Sequence, residues 1–180
     1  MTSKSLFFRS MREDLRHKVW MLALSVLGSM LSLPVAYLLY NNNRYRGTEF
    51  EWFQRAYADQ AVYFFERNIL AFAGFIAVAG ACIVGFFGFR YLFRRNMVDT
   101  YHSMPIKRKT LFLVNYFNGL LLWFVPFFIS LMITVVLALC GGSGAVVAMG
   151  MQGTLLKEMA VSVVTLVVVF LLVYHLVLVA

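Results

Sequence analysis

Four apolar runs free of Asp, Glu, Lys and Arg punctuate the chain, at residues 19–40, 68–89, 111–140 and 159–180. Each reaches the length of roughly 20 residues that a helix needs to cross the hydrocarbon core of a bilayer. In lipid the backbone must pair within its own segment, so helix is predicted for all four, the valine-rich last run included. The third run is longer than one crossing requires, so it must tilt, bend or begin before the hydrocarbon. Pro126 is the predicted kink within it. The polar stretches between the runs, 41–67, 90–110 and 141–158, read as connecting loops, with Gly141, Gly142 and Gly144 forming a flexible turn in the last.

Composition agrees with the pattern. Of 180 residues, 62% are apolar or aromatic and 13% are charged, where soluble domains have roughly 45–50% and about 25%. The expected fold is therefore an all-α integral membrane protein with four transmembrane helices. Cleavage of the first run as a signal peptide is not expected. It is longer than an h-region and lacks a small-x-small site at its end.

Charge orients the spans. Five basic residues precede the first run (Lys4, Arg9, Arg12, Arg16, Lys18), four lie in 41–67, six in 90–110 and only Lys157 in 141–158. The first and third groups share one side of a four-span chain, and the positive-inside rule makes that side cytoplasmic, N-terminus included. Glu49, Glu51, Asp59, Glu66 and Glu158 cancel the basic residues of the other side, so the net charge of +8 belongs to one face. Because this charge sits at span ends, it fits anchoring to anionic headgroups and not nucleic-acid binding.

Residues 1–18 show helical spacing of Phe8, Met11 and Leu15, continued by Val19, with Arg9, Glu13 and Arg16 off that stripe. The spacing predicts an amphipathic helix in the headgroup plane, leading into the first span. His17 reads as a solvated surface residue. In the second span, Ala73, Ala77, Ala81 and Gly85 recur every four residues. Such a ridge of small side chains lets another helix approach closely, within this chain or in a second copy. Cys82 and Cys140 lie in apolar runs without metal or redox spacing and read as buried small residues.

Reaction chemistry is sparse. Asn115, Asn118, Tyr174 and His175 are the conspicuous polar residues inside the spans, with no carboxylate or basic side chain for an ion pathway. His175 reads as an interfacial or inter-helix hydrogen-bonding residue. Neither GxSxG, HExxH nor a P-loop occurs, so no catalytic site, metal site or bound cofactor is expected.

The stretch RRNMVDTYHSMPIKRKTLF, residues 94–112, is the most distinctive. Met97, Val98, Tyr101 and Met104 fall on one side of a short helix, with Arg95, Asn96 and Asp99 opposite. Pro105 disfavours helix at Met104, and Ser103 is placed to cap a new helix with Pro105 in its first turn. Lys107, Arg108 and Lys109 then crowd a helix start, where the dipole prefers acids. An exposed apolar stripe of this kind calls for a covering surface, either membrane or protein.

The run VDTYHSMPIKRKTLF resembles the signature D-x-Y-H-S-[LM]-P-[IV]-x-R-x-x-L-F of permease subunits in bacterial ABC transporters of the ABC-2 type. Lys4, the basic amphipathic stretch, Trp20 and Leu33-Pro34-Val35 fit the same pattern. The resemblance implies that 90–110 holds a coupling helix for a separate ATP-binding subunit, with Asp99, Tyr101, His102, Ser103, Met104, Pro105 and Arg108 as its matching residues. It implies an elbow helix over 1–18, ATP and Mg on the partner and not on this chain, a second permease copy or homologue, and the bacterial cytoplasmic membrane. Export is the expected direction, with no substrate singled out. Such permeases have six or more spans, so the four here are expected to be part of a longer permease. The alternative is a non-transporting membrane protein that recruits a cytoplasmic partner or senses a signal through the same loop.

Overall fold

The computed structural model describes residues 11–12, 15–16, 18–42, 50–89 and 108–179. All the elements among them are helical. Helix α1 (Val19–Met30) passes through a π turn (Leu31–Val35) into α2 (Ala36–Asn42). Helix α3 (Phe50–Tyr63) passes through a second π turn (Phe64–Asn68) into α4 (Ile69–Gly88). Helices α5 (Arg108–Ala148) and α6 (Gln152–Val179) complete the bundle. Four helices are long and apolar enough to cross a membrane: Val19–Asn41, Trp52–Gly88, Phe112–Gly141 and Gln152–Val179. This is an all-α, multi-pass membrane protein. Its outward side chains suit lipid as their solvent: Phe75 is 75% exposed and Leu176 68%, an expensive arrangement in water.

Polar stretches that pattern alone reads as loops are substantially helical. The second membrane helix starts at Trp52 and not at residue 68, giving 37 residues. At 1.5 Å per residue that is about 55 Å, well beyond a hydrocarbon core of about 30 Å. The extension α3 is held by α5, whose 41 residues also outrun one crossing. Ala58, Ala61, Ala138, Ala145 and Val146 are fully buried there. Gly141 admits the Tyr57 ring: a methyl at that position would fall on the Tyr57 hydroxyl. The expected flexible glycine turn is therefore corrected. Gly141, Gly142 and Gly144 lie within α5, Gly144 with φ +74°, and the turn itself is Met149–Met151 with Gly150 at φ +69°. Helix α6 accordingly begins at Gln152, seven residues before the apolar run at 159.

Both π turns have a local cause or a local consequence. Pro34 lies inside the first; lacking an N–H, it cannot close the α-helical bond back to Met30. The ladder re-forms with Ala36 N–H donating to Leu31 O, five residues back. Helix α5, by contrast, is helical through Pro126, so the π irregularity falls at Pro34 and not at the predicted kink. In the second π turn Ile69 N–H donates to Phe64 O. The neighbouring Phe65 O accepts the Ser162 hydroxyl of α6 at 2.5 Å. A π turn displaces a carbonyl from the ladder, and here a side chain from the facing helix satisfies it.

Two further interfaces set the bundle. Helix α4 lies along α6 through the small-residue ridge: Ala73, Ala77, Ala81 and Gly85 are all buried. Gly85 lies so close to α6 that a methyl there would sit 2.7 Å from Val177 Cγ1. The ridge thus meets another helix of the same chain. Helix α1 meets α5 through hydroxyls: Ser25 Oγ donates to Leu122 O at 2.6 Å, and Ser130 Oγ to Ser29 Oγ at 3.0 Å. Thr134 Oγ1 donates to Ser130 O at 2.8 Å, extending the ladder along α5. The cysteine expectation is corrected: Cys82 and Cys140 are unpaired and exposed on the bundle's surface. In lipid a thiol needs no burial to leave water, which removes the reason for expecting it in the core.

Candidate functional site at the basic end of the bundle

The distinctive stretch joins the second and third spans. Asp99, Tyr101, His102, Ser103, Met104 and Pro105 lie outside the described residues; Arg108 is the first residue of α5. What the structure defines is the platform from which that stretch emerges. Its two flanks are close in space: the rings of Phe89 and Phe112 lie 5.3 Å apart at 49°. The end of the second span therefore touches the start of the third. Lys109 is exposed one residue after Arg108.

Four parts of the chain converge at this end. Lys18 Nζ donates to Asn115 Oδ1 at 2.8 Å, tying the residue before α1 to the first turns of α5. Asn118 Nδ2 donates to Met11 O at 3.2 Å and so reaches the N-terminal segment. Both asparagines are buried, Asn118 completely. Met11 and Leu15, two members of the predicted amphipathic stripe, are half-buried; Val19 is exposed and Phe8 lies outside the described residues. The N-terminal segment is thus hydrogen-bonded to the third span by the Asn118 amide, one turn from the Asn115 amide that meets Lys18.

The end of α6 joins the same platform. Tyr174 is fully buried, and its hydroxyl donates to Tyr116 O at 3.3 Å. Gly119 makes the room, since a methyl there would strike that hydroxyl. His175 Nδ1 lies 2.6 Å from Leu171 O. A carbonyl only accepts, so Nδ1 carries the proton, and in the neutral ring Nε2 is then the acceptor. Tyr116 O–H accordingly donates to His175 Nε2 at 3.1 Å. His175 is an exposed inter-helix residue, joined to Tyr116 by this hydrogen bond. Tyr116 is the hub: it stacks at 15° on Phe112 and contacts Tyr174 as well.

Chemically, this platform is a set of side-chain contacts that link the spans. It is built of aromatic contacts and hydrogen bonds, one of them from Lys18, and among the described residues no group of His, Cys, Asp and Glu gathers to hold a metal ion. Tyr116 connects the flanks at Phe89 and Phe112 to the fourth span, and Asn115 and Asn118 connect the third span to Lys18 and Met11. Sequence reading singled out Asn115, Asn118, Tyr174 and His175 as polar oddities but did not pair them. Tyr116 and Lys18 as their partners went unnoticed, although Tyr116 and Asn115 are adjacent and so fall on neighbouring helix faces.

Comparison of the chain with protein-family models, with curated proteins and with solved structures returned no match.

Proposed function

We propose that this chain is a membrane-spanning permease subunit of an ATP-driven ABC transporter of the ABC-2 type, an exporter, in the bacterial cytoplasmic membrane. The observation that carries the reading is the order of residues in 98–112, with Asp99, Tyr101, His102, Ser103, Met104, Pro105 and Arg108 at the signature positions. Its setting supports it: the stretch hangs between two helices whose flanks touch, so one rigid element there would move both. The chain carries no P-loop, so a separate subunit binds ATP and Mg and does the hydrolysis. Tyr101 and Met104 fill a groove on that subunit, and Arg94, Arg95 and residues 107–109 meet its rim or the anionic lipid surface. A second permease copy or homologue completes the translocation path.

The test is a mild-detergent purification of the tagged chain from its own membranes, with co-purifying proteins identified. A stoichiometric P-loop ATPase is expected with the native chain. Tyr101→Asp, and separately Met104→Asp with Pro105→Ala, should lose it while membrane insertion is retained. Normal co-purification by these variants rejects the coupling role. Absence of any ATPase from the folded native chain moves the reading to a non-transporting recruiter.

A further inference from the structure

A second polar cluster lies at the end of the first span opposite the basic platform, between α2, α3 and α5. That span runs 23 residues from Val19 to Asn41, about 34 Å at 1.5 Å per residue. Asn41 therefore stands where a hydrocarbon core of about 30 Å gives out. Two hydrogen bonds tie α2 to α3 at this level. The Tyr37 hydroxyl donates to the Tyr57 hydroxyl at 3.1 Å, and Gln60 Nε2 donates to Tyr40 O at 3.0 Å. Gly141 of α5 closes the third side, against the Tyr57 hydroxyl. Tyr37 is fully buried, Asn41 is 8% exposed and Gln60 7%.

Three buried atoms here have no protein partner among the described residues: Nδ2 and Oδ1 of Asn41, and Oε1 of Gln60. They belong to one place. Asn41 follows Tyr37 by one turn of the same helix, hence on the same face. It is also the neighbour of Tyr40, whose carbonyl holds the other end of the Gln60 amide. Exchanging the N and O of Asn41 relieves nothing, since both ends are unmet. Exchanging those of Gln60 would forfeit its bond to Tyr40 O. Buried polar atoms are ordinarily paired, because leaving them unpaired is costly.

Chemistry decides what kind of partner fits. Tyr37, Tyr57, Asn41 and Gln60 are neutral, and the charged side chains Arg55 and Asp59 of α3 are exposed. A bound ion would therefore be buried without a counter-charge. A bulky headgroup does not suit either, because Tyr37, Asn41 and Gln60 are each more than nine-tenths buried. The unmet atoms ask for a small neutral molecule that both donates and accepts. Water is that molecule, and a buried water makes about three hydrogen bonds, enough for the atoms unmet here. We infer that Asn41 and Gln60 form a buried hydration site, where water drawn from the adjacent membrane surface bridges the two amides beside the Tyr37–Tyr57 pair. The contact of α2 with α3 is thus water-mediated. The inference stands apart from the transport reading.

The experiment is X-ray hydroxyl-radical footprinting of the full chain in phosphatidylcholine nanodiscs, read by mass spectrometry at single tyrosines. Radicals from bulk water oxidise exposed side chains, whereas a fully buried ring is oxidised by radicals formed from water bound beside it. Tyr37 and Tyr174 are both fully buried, and each donates its hydroxyl to a protein oxygen. The proposed water is what sets them apart, so Tyr37 should be oxidised on the order of tenfold faster than Tyr174. Asn41→Leu keeps the size and removes both hydrogen-bonding atoms. It should bring Tyr37 down to the rate of Tyr174, with Tyr174 still protected as the sign of an intact bundle. Gln60→Met is the second variant, with the same expectation, should Asn41→Leu expose Tyr174. Equal, slow oxidation of the two tyrosines in the native chain means a dry cluster and overturns the proposal, whatever the variants do. Fast oxidation of Tyr37 that persists in a variant with Tyr174 protected places the water elsewhere and overturns it too.

Discussion

The interface of α4 with α6 and that of α1 with α5 hold helices together by different means. The first is dry: a ridge of Ala73, Ala77, Ala81 and Gly85 lets the backbones close until Val177 and Tyr174 fill what the missing side chains leave. The second is polar: Ser25, Ser29, Ser130 and Thr134 exchange hydrogen bonds across and along the contact. Lipid tails are as apolar as leucine, so neither interface has a hydrophobic drive behind it. What remains is dispersion at close range in one case and hydrogen bonding in the other. Dispersion at close range tolerates no added volume, whereas a hydroxyl ladder can lose a rung and let its partners turn to carbonyls on their own helices. The two interfaces should therefore break very differently.

The largest effect belongs to the dry interface. Gly85→Ala places a methyl 2.7 Å from Val177 Cγ1, and both backbones are helical, so something must shift. Overpacking of this kind costs about 1–3 kcal/mol. Unfolding in mixed detergent should show it, and Val177→Ala should recover most of the loss when added to Gly85→Ala. Strict additivity of the two changes would mean that they do not meet. Next in size is Ser162→Ala. It removes the hydroxyl that satisfies Phe65 O beside the second π turn. The expected loss is about 1 kcal/mol, below the penalty for a fully orphaned buried carbonyl because a π turn can re-register to reclaim it. Faster amide exchange confined to Phe64–Asn68 and the following turn is the signature that distinguishes this from a general weakening of α6.

These differences explain what was legible in the sequence. Uncharged length is enough to find four spans, and a four-residue spacing of Ala and Gly is enough to find the ridge, because both are one-dimensional patterns. Helix α3 was not found, since Glu51, Arg55, Asp59, Glu66 and Arg67 dominate a reading tuned to long uncharged runs. Yet Phe53, Tyr57, Ala58, Ala61, Phe64 and Phe65 recur at helical spacing through the same stretch. The serines were passed over because a lone hydroxyl in a span bonds its own helix as readily as its neighbour. Only the fold tells Ser130, bonded across, from Thr165, bonded to Val161 O within α6. At the basic end the polar residues were visible but their pairing was not, because Lys18 and Asn115 lie far apart along the chain. The signature at 98–112 is a pattern of residue types, and the described residues add to it only its flanks.

The smallest effect sharpens the comparison most. Ser130→Ala removes the one hydroxyl that bridges Ser29 and leaves the backbone ladder of α5 intact. Ser29 keeps a partner, since its own hydroxyl donates to Val26 O at 3.1 Å, and Ser32 in turn donates to Ser29 O at 3.2 Å. No buried group is therefore orphaned, and the change should cost only the inter-helix bond itself, about 0.6 kcal/mol in a membrane bundle. The change deletes a single oxygen atom, so the void it leaves is small. Unfolding measured beside Ser29→Ala and the double variant should give a coupling near that value. A loss above about 2 kcal/mol would mean that the hydroxyls hold α1 against α5 more firmly than one exchangeable rung, and the contrast with the ridge would collapse. A change within error would instead make the first span's hold on the third depend on Ser25 and on the Lys18–Asn115 contact at the basic end, where the platform and the membrane surface meet.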